Sequence, residues 1–296
     1  MITDSHDHLF FRSALLPGQE LDDKQAAIAE LRVFRELGGE RVVQWTPFGL
    51  GRRAEWLTDV SQASGVQIIG ATGLHQRAHY ADQALVEQVL PKLADLFIEE
   101  LTVGMRPDDP TVLPGSAPLP RAGLIKVAGA FHHLDEHARV TMIAAAEAHH
   151  ATGAPIGVHH ELGTAAPDAA ALLIGELKVP PEKVILGHLN RQPDSDVHLG
   201  LAQTGAFLAF DGPSRANHTT DWRLFECLER IAAHGHADQV LIGADTTTAA
   251  ARSAPGMPFL LRTIAPRLGD ALTAKFFVHN PGRAFPAATS LRPASG

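Results

Sequence analysis

Cysteine is almost absent from this 296-residue sequence, which contains only Cys227. One cysteine cannot form an intramolecular disulfide or supply the thiolate cluster of a structural metal site. We interpret Cys227 as a buried helix residue, because a free cysteine packs as a small apolar side chain. The sequence therefore excludes a disulfide-stabilised scaffold and a cysteine-based metal centre.

Long apolar runs and blocks of like charge are also missing. No apolar stretch approaches the roughly 18 residues of a membrane-spanning helix, and residues 1–6 lack the basic and apolar regions of a signal peptide. The 25 basic residues against 33 acidic residues give a net charge of −8, which argues against nucleic acid or an anionic membrane as partner. We therefore expect a cytoplasmic globular protein.

What the sequence does contain is a repeated alternation of short apolar segments with amphipathic segments of helical period. A doubly wound sheet is the structural alternative, but no Gly-x-Gly-x-x-Gly follows an early strand, so a dinucleotide site is not expected. No interdomain linker is present, and residues 1–296 are predicted to form one α/β domain, a single (β/α)8 TIM barrel. Strands are predicted at residues 2–6, 41–45, 66–71, 123–127, 155–159, 183–187, 206–210 and 240–244. Helices are predicted at residues 23–37, 53–64, 81–100, 135–152, 167–177, 221–233 and 258–268.

Histidine is abundant, with 17 residues, and several of them end predicted strands. His6 and His8 form a His-x-His at the first strand, and because strand side chains alternate, both imidazoles point to the same side. A second pair, His234 and His236, follows a helix at the opposite end of the predicted barrel and is interpreted as surface. Active sites of this fold lie at the carboxyl ends of the strands, so the first pair is the functional candidate.

Four more polar residues end or interrupt predicted strands: Lys126, His159, His188 and Asp245. Taken singly, each has a structural explanation: a buried histidine with hydrogen-bond partners, a lysine whose ammonium reaches solvent, or an aspartate that caps a helix. Together with the first histidine pair, they would crowd a lysine, an aspartate and four imidazoles at one end of the barrel. Such crowding is costly unless a cation organises the groups, so the set predicts a metal centre.

The predicted ligands also indicate how many metals they hold. A free ammonium among four imidazoles repels a divalent cation, whereas a lysine carbamylated by CO2 is an anionic carboxylate long enough to bridge two metals. We therefore predict a carbamate on Lys126 between two divalent metal ions. Ligands of nitrogen and oxygen without sulfur suit zinc and tolerate manganese, cobalt or iron. One ion would be held by His6, His8 and Asp245, and the other by His159 and His188.

Recognisable motifs occur along the whole chain. They are residues 5–10 (SHDHLF), 46–52 (TPFGLGR), 122–127 (AGLIKV), 187–191 (GHLNR) and 280–285 (NPGRAF), together with His159 and Asp245. In this order they resemble the phosphotriesterase family of the amidohydrolase superfamily. The resemblance implies a binuclear metal-dependent hydrolase with a carbamylated lysine, in a family that contains phosphotriesterases, lactonases, sugar-phosphate lactonases and uncharacterised esterases. It is specific for the metal centre and not for the substrate.

Three positions depart from the pattern of that family. Asp7 stands where the family usually has glutamate. Its side chain is expected to point away from its histidine neighbours. Asn190 replaces an aspartate before Arg191, which removes a carboxylate near the metals. Gly212 follows Asp211 where organophosphate-degrading members carry a histidine thought to shuttle protons, so a lactone or carboxylic ester is favoured over a phosphotriester.

The predicted reaction is hydrolysis of a small-molecule ester or lactone. A water that bridges the metals, with its pKa lowered to around 7, attacks the carbonyl carbon or phosphorus, and Asp245 accepts its proton. One metal stabilises the charge that develops on the substrate oxygen. Specificity is expected from the loops after the strands, where arginine forks suit oxygen-rich groups. The candidate substrate contacts are His75, Arg77, Tyr80, Arg215 and Arg252.

Three alternatives stay open beside the lactonase. The first is true phosphotriesterase activity at the same centre. The second is a Schiff-base aldolase that uses Lys126 as a free amine of lowered pKa, which leaves the strand-end histidines without a role. The third is a non-catalytic metal-binding module, whose coordination would be closed. Dimers are common in the resembled family, so a homodimer is also considered.

Overall fold

The structure is a computed structural model, and it describes residues 1–108, 111, 119–214 and 219–286. Strands and helices alternate along these residues. No helix within them is long and apolar enough to cross a membrane. The strands are β1 (Thr3–Asp7), β2 (Arg41–Gln44), β3 (Gln67–Ile69), β4 (Ala71–Gly73), β5 (Leu124–Ala128), β6 (Ile156–His159), β7 (Val184–Leu186), β8 (Phe207–Asp211) and β9 (Val240–Gly243).

Neighbouring strands pair in parallel and follow each other around the barrel. The order is β1-β2-β3 in one sheet and β4-β5-β6-β7-β8-β9 in the other. β3 and β4 form one barrel strand interrupted at Gly70, whose carbonyl still accepts a hydrogen bond from the Gly123 N–H at 2.9 Å. The ring closes between β9 and β1, where the Asp245 N–H donates to the His6 carbonyl at 2.9 Å. The fold is the predicted (β/α)8 barrel.

Helices pack around the strands. They are α1 (Lys24–Glu36), α2 (Leu57–Ser64), α3 (Gln83–Val89), α4 (Leu93–Thr102), α5 (Glu136–Thr152), α6 (Ala166–Ala170), α7 (Ser195–Gln203), α8 (Leu224–Ala233), α9 (Ala265–Leu268), α10 (Asp270–Ala274) and α11 (Asn280–Ala284). Aspartates cap several of them: the Asp135 side chain accepts from the Ala138 N–H at the start of α5, as this residue type favours. Gly153, with a φ of 75°, ends the same helix, because glycine adopts the left-handed conformation without strain.

The helices differ from the predicted ones in several places. The helix predicted over residues 81–100 is two helices, α3 and α4, joined by a single turn at Leu90–Lys92 that contains Pro91. The helix predicted over residues 167–177 begins as α6 and continues as a π-helical turn at Ala171–Glu176. α7, α10 and α11 were not predicted at all.

The fully buried indole of Trp45 packs against the first histidine of the site. Its N–H donates to the Ser5 carbonyl at 2.8 Å, and the His6 ring stacks on it with 4.0 Å between ring centroids. Gly157 on β6 leaves room for it, since a Cβ there would lie 2.8 Å from the indole. Trp45 thereby holds the His6 ring in position at the barrel interior.

Candidate metal centre

A cavity of about 400 Å³ opens at the carboxyl ends of the strands. The predicted ligands that line it come from all around the barrel. β1 and the residue after it carry the histidine pair, β5 and β6 carry the lysine and the third histidine, and the last two ligands lie two residues beyond β7 and β9. Each ligand is buried, with at most 9% of its surface exposed. The structure thus brings together all six: His6, His8, Lys126, His159, His188 and Asp245.

Three of these side chains converge on one point. The Nε2 atoms of His6 and His8 each lie 3.4 Å from Asp245 Oδ1. That separation suits nitrogen and oxygen ligands that sit about 2.0–2.2 Å from one tetrahedral ion. His6 Nε2 and Asp245 Oδ1 are buried and have no hydrogen-bond partner among the described residues, which is costly unless a cation satisfies them. The donor set therefore fits a divalent metal ion.

Asp211, the last residue of β8, contacts one histidine from each predicted half of the centre. Its Oδ2 lies 2.6 Å from Nδ1 of His188, and its Oδ1 lies 3.1 Å from Nδ1 of His6. Oδ2 accepts the Nδ1–H of His188, which leaves the Nε2 of that ring for a metal and fixes the ring. The contact with His6 is close but lacks hydrogen-bond geometry. Asp211 was not among the predicted site residues, although it ends a strand as several of the ligands do.

Thr46 fixes the tautomer of His8. The Thr46 hydroxyl donates its only proton to the Phe10 carbonyl at 2.6 Å and lies 2.7 Å from Nδ1 of His8. It must therefore accept from the Nδ1–H, which leaves Nε2 unprotonated. Burial lowers the pKa of His8 to about 4. The imidazole is neutral at physiological pH, as metal binding requires.

Lys126 is buried at the centre of β5, and this burial lowers its pKa to about 7. A substantial fraction of neutral amine near pH 7 is the condition for reaction with CO2, and equally for a Schiff base. β4 approaches the lysine backbone closely, since a Cβ at Gly73 would lie 1.9 Å from the Lys126 carbonyl oxygen. Only glycine fits at that position.

Asp245 is held as a carboxylate. Burial opposes its ionisation, but the charges of His188 and Arg191 outweigh this effect and hold its pKa below the usual value. The Arg191 guanidinium donates directly to Asp245 Oδ2. His188 and Asp245 both have a left-handed backbone, with φ of 59° and 49°, and such strain in non-glycine residues gathers at functional sites.

The predicted substrate contacts divide into two groups. His75 lines the cavity, with its ring centroid 4.6 Å from that of His159. Tyr80 lies buried behind it and does not line the cavity, because its hydroxyl accepts from the His75 N–H at 2.9 Å and donates to the Phe48 carbonyl at 3.1 Å. Tyr80 therefore supports the loop that carries His75.

Two predicted arginine contacts point elsewhere. The Arg77 side chain is 42% exposed and lies 3.2 Å from Glu87 of α3. Arg252 donates to the Leu9 carbonyl at 2.7 Å and lies 3.4 Å from Glu30 of α1. Neither side chain lines the cavity, because each is engaged by an acidic partner outside it. Arg215 lies outside the described residues.

Several polar residues that were not predicted as site residues also line the cavity, among them Gln76, His79, Glu161 and Arg191. All four lie in the loops after strands, where polar residues are frequent whether or not they contact a ligand. The sequence alone therefore offers no signal that separates them from ordinary loop residues.

A (β/α)8 barrel whose strand ends carry four histidines, a lysine and an aspartate around one cavity is the architecture of a metal-dependent hydrolase. A sequence model described as the Phosphotriesterase family matches residues 2–285. The chain belongs to this family, and it is accordingly a metal-dependent hydrolase that acts on ester bonds.

Individual relatives carry related names. The chain is 28% identical over 257 residues to a phospho-furanose lactonase of Mycoplasmopsis synoviae, which covers 82% of this chain and 72% of the relative. It is 24% identical over 248 residues to an aryldialkylphosphatase of Saccharolobus solfataricus, covering 81% of this chain and 75% of the relative. The crystal structure of a lactonase from Listeria monocytogenes has a TM-score of 0.84 and 26% identity, and covers 96% of this chain and 94% of that chain.

Proposed function

We propose that this protein hydrolyses lactones or related carboxylic esters at a binuclear metal centre in which Lys126 is carbamylated. The observation that carries the proposal is the convergence of His6 Nε2 and His8 Nε2 on Asp245 Oδ1 beside a buried lysine. The names of the Mycoplasmopsis and Listeria relatives support a lactone as substrate.

The residues have separate roles in this proposal. When bound, two divalent ions, which we propose to be zinc, lower the pKa of water and polarise the substrate carbonyl. His6, His8 and Asp245 hold the first ion, while His159 and His188 hold the second; the carbamate of Lys126 would join the two sites. Asp245 is ionised and accepts a proton from the attacking water. Arg191 holds the Asp245 carboxylate in place through its hydrogen bond to Oδ2.

A phosphotriester is the second candidate, since one relative is named an aryldialkylphosphatase. Gly212 argues against efficient turnover of such substrates. Its N–H donates to the Gly243 carbonyl at 2.7 Å, and a Cβ there would lie 3.1 Å from Leu260. The position thus has no side chain to move a proton and little room for one.

Metal analysis together with a substrate panel tests the proposal. Purified protein loaded with zinc and bicarbonate is expected to hold about two equivalents of metal, and Lys126→Ala is expected to lose most of it. Asp245→Asn should retain much of the metal but lower kcat/KM for lactones by about 10²–10⁴-fold, because it removes the proton acceptor. The control is Asp238→Asn, which changes an exposed aspartate just before the amino end of β9. This variant should behave as wild type.

Three results would contradict the proposal. Full activity in Asp245→Asn would remove this residue from the reaction. Reductive trapping of a carbonyl substrate on Lys126 by borohydride would indicate a Schiff-base aldolase. Tight metal binding without turnover of any lactone, ester or aryl phosphotriester would indicate a binding module.

A further inference from the structure

Glu161, two residues beyond β6, places a carboxylate in the cavity wall. Its side chain is 35% exposed. Its Oε2 lies 3.1 Å from Nε2 of His159 and accepts from Nε2 of Gln76 at 3.3 Å. In the part of the chain that the structure describes, no group hydrogen-bonds to Oε1. One carboxylate oxygen is therefore anchored to the wall and the other is available to a ligand.

The loop that carries Glu161 is built to hold it in place. Leu162 and Ala165 both have a left-handed backbone, with φ of 49° and 59°, a conformation that costs free energy in non-glycine residues. Thr164 donates its hydroxyl proton to the Glu161 carbonyl at 2.7 Å and accepts from the His132 N–H at 2.8 Å. The loop after β6 is thereby tied to the loop after β5, which fixes the carboxylate before any substrate arrives.

Away from the proposed metal ligands, the cavity wall offers little to an anionic substituent. Among the described lining residues that are not proposed ligands, Arg191 is the one with a lysine or arginine side chain, and it is hydrogen-bonded to Asp245. Phosphate or carboxylate groups are normally bound by arginine forks, and a carboxylate in the wall repels them.

We propose that Glu161 determines substrate specificity: it binds a hydroxyl or ammonium group beside the scissile bond and disfavours substrates with an anionic group there. This inference rests on the proposed hydrolysis of lactones and esters at the same cavity. The preferred substrate is a neutral or cationic lactone with a hydrogen-bond donor, unlike the phosphorylated sugar in the name of the Mycoplasmopsis relative.

The proposed role of Glu161 is tested with a series of γ-butyrolactones that differ only in one ring substituent. The substituents are ammonium, hydroxyl, methyl and carboxylate, and kcat/KM is measured for zinc-loaded wild type, Glu161→Gln and Glu161→Leu. Wild type should prefer the ammonium and hydroxyl rings. Glu161→Gln should lower the ratio of ammonium to carboxylate turnover by about tenfold or more, as expected for a lost hydrogen bond to a charged group. It should keep the preference for hydroxyl over methyl, which Glu161→Leu should lose.

The matched control is Glu87→Gln, because Glu87 lies on α3 outside the cavity with its side chain 69% exposed. It should leave every ratio unchanged. Unchanged ratios in Glu161→Gln, with two metals still bound, would overturn the inference. Loss of one metal equivalent in Glu161→Gln would also overturn it, because Glu161 would then act on the metal through His159.

Failure of the inference can be told apart from failure of the proposed function. Binding of the corresponding γ-butyrolactams, which resist hydrolysis, is measured by calorimetry on the zinc-loaded protein. If no lactone is turned over, the proposed function fails. A charge preference in lactam binding that disappears in Glu161→Gln would still support the role of Glu161, and its absence would refute it.

Discussion

At the scale of single residues, Asp211 is the side chain on which both halves of the metal centre depend. It contacts Nδ1 of His188 at 2.6 Å and Nδ1 of His6 at 3.1 Å. In Asp211→Asn, the side chain loses its negative charge and one oxygen becomes an amide that can only donate, so either the hydrogen bond from His188 or the close contact with His6 is lost. We expect zinc affinity to fall about 10- to 100-fold, as measured by competition with a chromophoric chelator.

The control for this prediction is Asp196→Asn on α7, an aspartate whose side chain is 89% exposed. It should bind zinc as wild type does. Wild-type zinc affinity in Asp211→Asn would show that the two histidines are oriented by other contacts. A drop in activity with unchanged metal affinity would assign Asp211 to the reaction instead.

The ligands could be predicted from the sequence, while their supporting residues could not. The ligands lie within a strand or within two residues of its end, so Lys126 and Asp245 stand out from apolar runs and His6 from its His-x-His pair. Thr46 and Arg191 lie in two of the motifs, but their roles depend on contacts with residues far along the chain, which the local sequence does not show. For the same reason Tyr80 and Arg252 were expected near the substrate, although their partners hold them outside the cavity.

At the scale of elements, β9 and β1 approach each other closely where the barrel closes. A Cβ at Gly243 would lie 2.4 Å from the His6 carbonyl oxygen and 2.6 Å from its Cβ. Gly243→Ala should therefore force the two strands apart and displace His6. We expect a loss of about 1–3 kcal/mol in the free energy of unfolding, typical of overpacking, together with lower zinc content. Urea denaturation and metal analysis measure the two effects.

Gly200→Ala provides the comparison for the strand substitution. Gly200 lies within α7, and no atom lies within 4 Å of the Cβ it would gain. Alanine is favoured over glycine in a helix by up to about 1 kcal/mol, so this variant should be as stable as wild type or more so. Equal stability of the Gly243 and Gly200 variants would mean that the barrel closure adapts to a methyl group.

The strands could be predicted more completely than the helices. Most strands are short and largely apolar, because both of their faces are buried, whereas β1 consists of polar residues throughout. α7 was missed because Ser195–Gln203 has His198 on its buried face, where a helix pattern needs an apolar residue, and also contains Gly200, a residue type that disfavours helices. The structure buries His198 and gives its Nε2 a partner in the Leu189 carbonyl at 2.9 Å, a contact that the local sequence cannot reveal.

At the scale of the whole molecule, the metal centre joins parts of the chain that are distant in sequence. Its ligands extend from His6 to Asp245 and belong to both sheets of the barrel. The unfolded chain does not hold these groups together, so metal binds the native state and stabilises it by mass action. The single domain, the homodimer and the cytoplasmic location expected from the sequence stay predictions.

Removal of the metal should consequently lower the melting temperature. With free zinc at about 100 times its Kd, binding contributes about 2.7 kcal/mol, which corresponds to roughly 4 °C for a chain of this size. Differential scanning calorimetry of zinc-loaded and chelator-treated protein measures the difference. His234→Ala, which alters an exposed histidine after α8, should keep the full difference, whereas His188→Ala should lose most of it. Identical melting temperatures with and without zinc in the wild-type protein would mean that the convergent histidines are not a metal site, because a ligand that binds only the folded chain must stabilise it.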